Sequence, residues 1–125
     1  MIDTHTFLWF VNNDPTLSAA AQSVIADSNN DVYLSVASAW ELAIKTSIGK
    51  LTLTQPFPVF LPQQLRINNI RLLPIRLSHL QRVALLPFHH KDPFDRLLIA
   101  QSLSELMPLV SVDSVMDAYG ITRLW

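Results

Sequence analysis

The chain has 125 residues, half of them apolar and 15% charged, with a net charge of −1. That composition excludes disorder, since the apolar surface offsets the entropy of ordering, and the length suits one domain over residues 1–125. No run nears the roughly 18 apolar residues of a membrane span, Phe7-Leu8-Trp9-Phe10-Val11 is too short and unflanked by base for a secretory core, and the absence of cysteine excludes disulfides, thiolate catalysis and cysteine–zinc sites.

These properties predict a cytoplasmic globular protein. Its apolar half exceeds what a small core hides, which implies a surface that meets a partner. Met1-Ile2 is the first strand candidate, short for a central strand, so either the sheet frays there or the natural chain begins earlier. Thr6 to Val11 reads as a helix. Ser18 to Asp27 starts on a capping serine and continues as a helix. Val32-Tyr33-Leu34 follows the turn signal Asn29-Asn30-Asp31 and reads as a strand. Ser38 to Ile48 is a helix ending at Gly49, a natural C′ residue. Pro58 to Asn69 is less regular, with a break at Pro62, and Ser78 to Leu86 is a further short helix. Ile70 to Ile75 and Leu109 to Val112 read as strands, and Ile121 to Trp125 as an edge strand. Pro93 to Met107 carries apolar residues around most of its circumference, which predicts a largely buried helix. Strand–helix alternation predicts a parallel sheet covered on both faces.

Charge is segregated. Residues 1–41 hold five acids and no Lys or Arg; residues 42–91 hold seven bases and no acid. A basic block of this kind either faces a polyanion or is a solvated face whose Arg stems cover apolar surface. The acids have a pattern of their own. Asp3, Glu41, Asp95 (with Asp92) and Asp113 each follow a strand candidate, and in a parallel sheet those places share one edge. Carboxylates gathered there raise each other's pKa unless a cation sits among them. A hard divalent ion, Mg²⁺ or Mn²⁺, suits oxygen ligands and phosphodiester chemistry. Each acid also has a plainer role: Ser38-Ala39-Trp40-Glu41 has the form of a capping box, with Lys45 one turn beyond Glu41; Asp92 and Asp95 fit an N-cap and an N3 acid around Pro93; Asp113 or Ser114 fits a cap; Asp3 fits a turn with Thr4. His5 and the pair His89-His90 fit phosphate contacts, a metal water, or ordinary surface positions. Trp9, Trp40 and Trp125 read as core or interface anchors. The sequence contains no hydrolase-elbow, Walker or dinucleotide glycine motif.

Asp3-Thr4-His5, Ser38 to Lys45 with Gly49-Lys50-Leu51, His90 to Gln101 and Val110-Ser111-Val112-Asp113 together resemble the PIN domain family, and more narrowly the VapC-type ribonuclease toxins of type II toxin–antitoxin systems. The resemblance implies a three-layer α/β/α sandwich around a parallel sheet of about four or five strands, and Mg²⁺- or Mn²⁺-dependent endoribonuclease activity neutralised by a cognate antitoxin. It assigns the acidic quartet to Asp3, Glu41, Asp95 and Asp113, with Ser111 as a supporting hydroxyl and Asp92 as a fifth acid; Thr4 stands beside it. Arg96, Lys91, Lys45 and His5 are the expected RNA contacts, and a homodimer is the expected assembly. Two rivals remain at this level: a non-catalytic binding module of the same fold, and a receiver-like signalling domain, which wants a late lysine although none follows Lys91.

Overall fold

A computed structural model describes residues 1–125. Six α-helices run as α1 (Thr4–Val11), α2 (Ala19–Ala26), α3 (Val36–Ser47), α4 (Phe57–Ile67), α5 (Leu77–Leu85) and α6 (Pro93–Glu105), with strands β1 (Val32–Ser35), β2 (Ile70–Leu73), β3 (Leu109–Val110) and β4 (Arg123–Leu124) and a 3₁₀ helix at Ser114–Tyr119. All pairings are parallel. β1 pairs with β2 from Val32–Ile70 to Ser35–Leu73, and β3 with β4 through Leu109–Arg123 and Val110–Leu124. Ile2 joins the two halves by bridging both Leu34 and Val110. The order across the sheet is therefore β2, β1, Ile2, β3, β4, and the centre of the sheet is one residue wide along the chain. Its ladder consists of Ile2 N–H to the Tyr33 carbonyl (2.9 Å), Val110 N–H to the Met1 carbonyl (2.8 Å) and Asp3 N–H to the Val110 carbonyl (3.2 Å).

Alternating side chains send two apolar sets to opposite faces, as the two-residue period of strands requires. Ile2, Val32, Leu34, Ile70 and Val110 meet Phe7, Ala21, Ile25, Leu42, Phe60 and Leu61 from α1 to α4. Met1, Leu73 and Leu109 meet Leu86, Leu98, Ile99, Ala100 and Met116 on the other side. This is the three-layer α/β/α sandwich with a central parallel sheet. α6 is buried over every residue from Arg96 to Ser102, as its apolar circumference predicted.

Local signals differ from expectation at two helices. α3 starts at Val36, because Ser35, the last residue of β1, is the N-cap and accepts from Ala37 N–H (3.0 Å). Ser38 is therefore inside the helix and the Ser38–Glu41 capping box does not form. Pro62 does not break α4: the helix runs through it and forgoes only the hydrogen bond that its missing N–H would make to the Pro58 carbonyl.

Candidate active site

The parallel sheet delivers the N-termini of α1, α3, α6 and the 3₁₀ helix to one edge, and three of these four starts are capped by acids. Asp3 Oδ1 accepts from Thr6 N–H (2.7 Å), and the residue is buried. Asp92 Oδ1 accepts from Phe94 N–H (2.9 Å) and Asp95 N–H (3.1 Å). Asp113 Oδ1 accepts from Val115 N–H (2.9 Å). Helix N-termini favour anionic side chains through the oriented peptide dipoles, so the plainer roles and the gathering of acids are both present.

Glu41 sits in the second turn of α3. The Thr4 hydroxyl donates to its Oε2, and Lys45 Nζ lies 2.6 Å from its Oε1. On the far wall, His90 spans two acids: its Nε2 is 2.7 Å from Asp113 Oδ2 and 3.3 Å from Asp95 Oδ2. The other ring nitrogen, Nδ1, accepts from Asp92 N–H (3.1 Å), so the Nε2 proton is the one directed at the carboxylates. Donor atoms of His90, Asp95 and Asp113 all lie within 4.8 Å of one another, close enough to share one ion. Burial pushes the Asp95 carboxyl up to about 7; the negative charges of Asp92, Asp3 and Glu41 push the same way, and His90 opposes them. Asp95 thus feels, besides its own helix cap Asp92, acids from two other segments of the chain. Ser111 is buried, and its Oγ accepts from Asp113 N–H (3.1 Å), which shapes the turn out of β3.

The expected RNA contacts separate in space. Arg96 is a correction: it is buried, and its guanidinium donates to the carbonyls of Val83, Leu86, Pro87 and His90 and lies 4.0 Å over the Phe88 ring. Its donors are spent on anchoring the loop before α6, and none faces solvent for a phosphate. Lys45 is tied to Glu41, so it tempers a site acid. His5 is exposed against Trp9, with ring centroids 5.8 Å apart. Lys91 is exposed beside Asp92 and forms no ion pair. Asp92 is exposed and engaged as a cap. The residue that sequence reasoning undervalued is His90; the available signal was its place two residues before a helix-capping Asp in a loop that must turn toward the sheet edge.

The donor set suits a hard divalent cation. Carboxylate oxygens of Asp95 and Asp113 beside His90 are ligands that a hard divalent cation takes, whereas Asp3 and Glu41 lie outside that close group and reach Asp95 through their charge. The Ser38 hydroxyl is buried without a hydrogen-bond partner.

The PIN domain family model matches residues 1–121. Ribonuclease VapC16 of Mycobacterium tuberculosis (strain ATCC 25618 / H37Rv) is 38% identical over 69 residues, 52% of this chain and 49% of that protein. The chain spans about half the length of this curated relative. A match of that extent, on a parallel α/β/α sandwich whose acids meet at the strand exits, establishes that the chain belongs to the PIN domain family.

Proposed function

We propose that the chain is a VapC-type endoribonuclease toxin: one domain over residues 1–125 that cleaves RNA phosphodiesters with Mg²⁺ or Mn²⁺ and is neutralised by a cognate antitoxin. The observation that carries this reading is the meeting of His90, Asp95 and Asp113 at the sheet edge, with one ligand atom of each within 4.8 Å of the others. The family membership and the ribonuclease name of the relative point the same way. Asp3, Glu41, Asp95 and Asp113 are the residues that would hold the ion.

When bound, such an ion supplies Lewis acidity toward the phosphodiester and a water of lowered pKa. The chain's own residues do the rest. Thr4 fixes the Glu41 carboxylate by donating to one oxygen, and Lys45 holds the other. Ser111 sets the turn that aims Asp113. Asp3 and Asp113 each spend Oδ1 on a backbone N–H, and Asp113 turns Oδ2 toward His90. His90 keeps Asp95 and Asp113 at a common centre. Lys91, at the mouth, is the base best placed to meet a flanking phosphate, and its contribution should weaken as salt rises.

The protein is proposed to act in the cytoplasm as a homodimer; no helix is long and apolar enough to cross a membrane. The test is cleavage of RNA with Mg²⁺, with and without EDTA, by the parent and by Asp95→Asn or Asp3→Asn. Loss of an outer-shell partner of a metal already costs about 10- to 100-fold, so loss of a ligand charge should cost at least about 100-fold. Cleavage that persists in both EDTA and the variants refutes the mechanism, and no cleavage of any RNA class by the parent leaves the non-catalytic binding module. Light scattering that finds a monomer at micromolar concentration removes the dimer.

A further inference from the structure

We propose that the cleft between α5 and the C-terminal end of α6 is a phosphate-binding site, separate from the acids at the sheet edge. The cleft has a volume of about 670 Å³ and shares no residue with the acidic quartet. That volume is within the range of small-ligand sites. Arg76 stands at the N-cap of α5. Ser78, Gln81 and Arg82 follow at spacings that put them on one side of the helix, and Ser104 and Glu105 close the cleft from the last turn of α6.

The lining holds an excess of donors over acceptors. Glu105 is its one acid, and that acid is already answered. Its Oε1 lies 3.2 Å from Arg76 Nη1 and 2.8 Å from Nε2 of His79, which is fully buried. His79 Nδ1 accepts from Arg76 N–H (3.1 Å), so the ring proton is on Nε2 and directed at Glu105. This arrangement pins Arg76 from behind and leaves most of its guanidinium N–H groups free. Arg82 forms no ion pair, and its whole fork is available. The hydroxyls of Ser78 and Ser104 and the Gln81 amide add further donors. The occupant that fits is a compact anion with many acceptor oxygens. A phosphate group meets that description and suits arginine forks, whereas a carboxylate offers too few acceptor positions to engage both forks and the hydroxyls. No aromatic ring lines the cleft, and its apolar part is Leu85 and Leu86, so nothing there stacks a base. The recognition is of phosphate itself, carried by a free phosphate compound or by the backbone of a strand. The charge segregation in the chain fits this. Of the seven bases between residues 42 and 91, Lys45, Arg71 and Arg76 are paired with acids from outside that block, while Arg82 is unpaired and shares its cavity with a second arginine.

The experiment records the Nε–H NMR signals of the arginines of the full chain in EDTA during titration with inorganic pyrophosphate, with acetate at matched ionic strength as the control. The Arg82 and Arg76 signals should shift to saturation with pyrophosphate and stay in place with acetate. Arg82→Ala should weaken pyrophosphate binding about 10- to 100-fold, the loss of hydrogen bonds to a charged group. Arg82→Lys should restore only part of it, since the fork is gone while the charge remains. Both variants should melt with the parent, because Arg82 is exposed. Signals of Arg82 and Arg76 that do not move at millimolar pyrophosphate, or that move equally with acetate, overturn the proposal. A second arm measures fluorescence anisotropy of a labelled single-stranded oligoribonucleotide across salt concentrations. If Arg82→Ala lowers the slope of log affinity against log salt by about 0.7, the value of one lost phosphate contact, the site takes the phosphate of a strand. If pyrophosphate binding is lost while that slope is unchanged, the site takes a free phosphate compound. Every measurement is made without cleavage, so failure of the nuclease reading and failure of this site are read separately.

Discussion

Asp3 and Asp113 each give one carboxylate oxygen to a backbone N–H at a helix start, and at Asp113 the second oxygen meets His90. Sequence alone poses cap and ligand as competing readings, and only the atoms separate them, because a carboxylate has acceptor capacity for both. Asp95 is different: its side chain caps nothing, and its environment opposes its charge. A folded carboxyl held at about 7 instead of 3.8 binds a proton that the unfolded chain has already released between those pH values. Stability of the metal-free protein should therefore fall as pH rises from about 4 to 7. Urea midpoints measured in EDTA across that range should decline, and Asp95→Asn, which has no proton to lose, should flatten the decline and raise the midpoint at pH 7.5.

Among the elements, α6 and the loop before it depend most on one side chain. Replacing Arg96 with Ala takes a donor from four carbonyls, leaving those of Leu86 and His90 without their guanidinium partner while Val83 and Pro87 keep Leu86 N–H and the Tyr119 hydroxyl, and should cost on the order of 2–4 kcal/mol in urea unfolding. Lysine should not rescue it, since an ammonium cannot span those acceptors as the planar guanidinium does. At the end of α3, Gly49 adopts φ +71°, a conformation that costs a side chain about 1 kcal/mol, so Gly49→Ala should lower the melting temperature by a few degrees. Helix and strand positions were largely legible in the sequence, because apolar spacing and Gly or Pro punctuation are local. The N-cap of α3 was not: Ser35 and Ser38 both offer a hydroxyl near its start, and the one used is decided by where β1 leaves the sheet. Arg96 was read as an RNA contact because charge suggests exposure; its burial follows from a loop whose carbonyls no local pattern advertises.

For the whole molecule, the order of strands gathers acids that are distant in the chain, and the topology explains why their placement after strands was readable while their distances were not. A ligand that binds the folded state at 100 times its dissociation constant stabilises it by about 2.7 kcal/mol. Mg²⁺ or Mn²⁺ should accordingly raise the melting temperature, and more at pH 8 than at pH 6, where a proton on Asp95 competes; an equal shift with Asp95→Asn would assign the ion to another place. Leu34 lies fully buried beside Ile2 at the sheet centre, and Leu34→Ala should cost about 2–5 kcal/mol.

The buried guanidinium of Arg96 also reaches the Tyr119 hydroxyl at 3.4 Å, and that hydroxyl in turn receives His90 N–H (2.7 Å) and donates to the Pro87 carbonyl (2.9 Å). The loop that presents His90 and the 3₁₀ helix that follows Asp113 are thereby lashed together from behind. Mutual repulsion among the acids tends to spread the pocket, and this lashing acts as a turnbuckle against it, so the spacing of the walls is set by the protein itself.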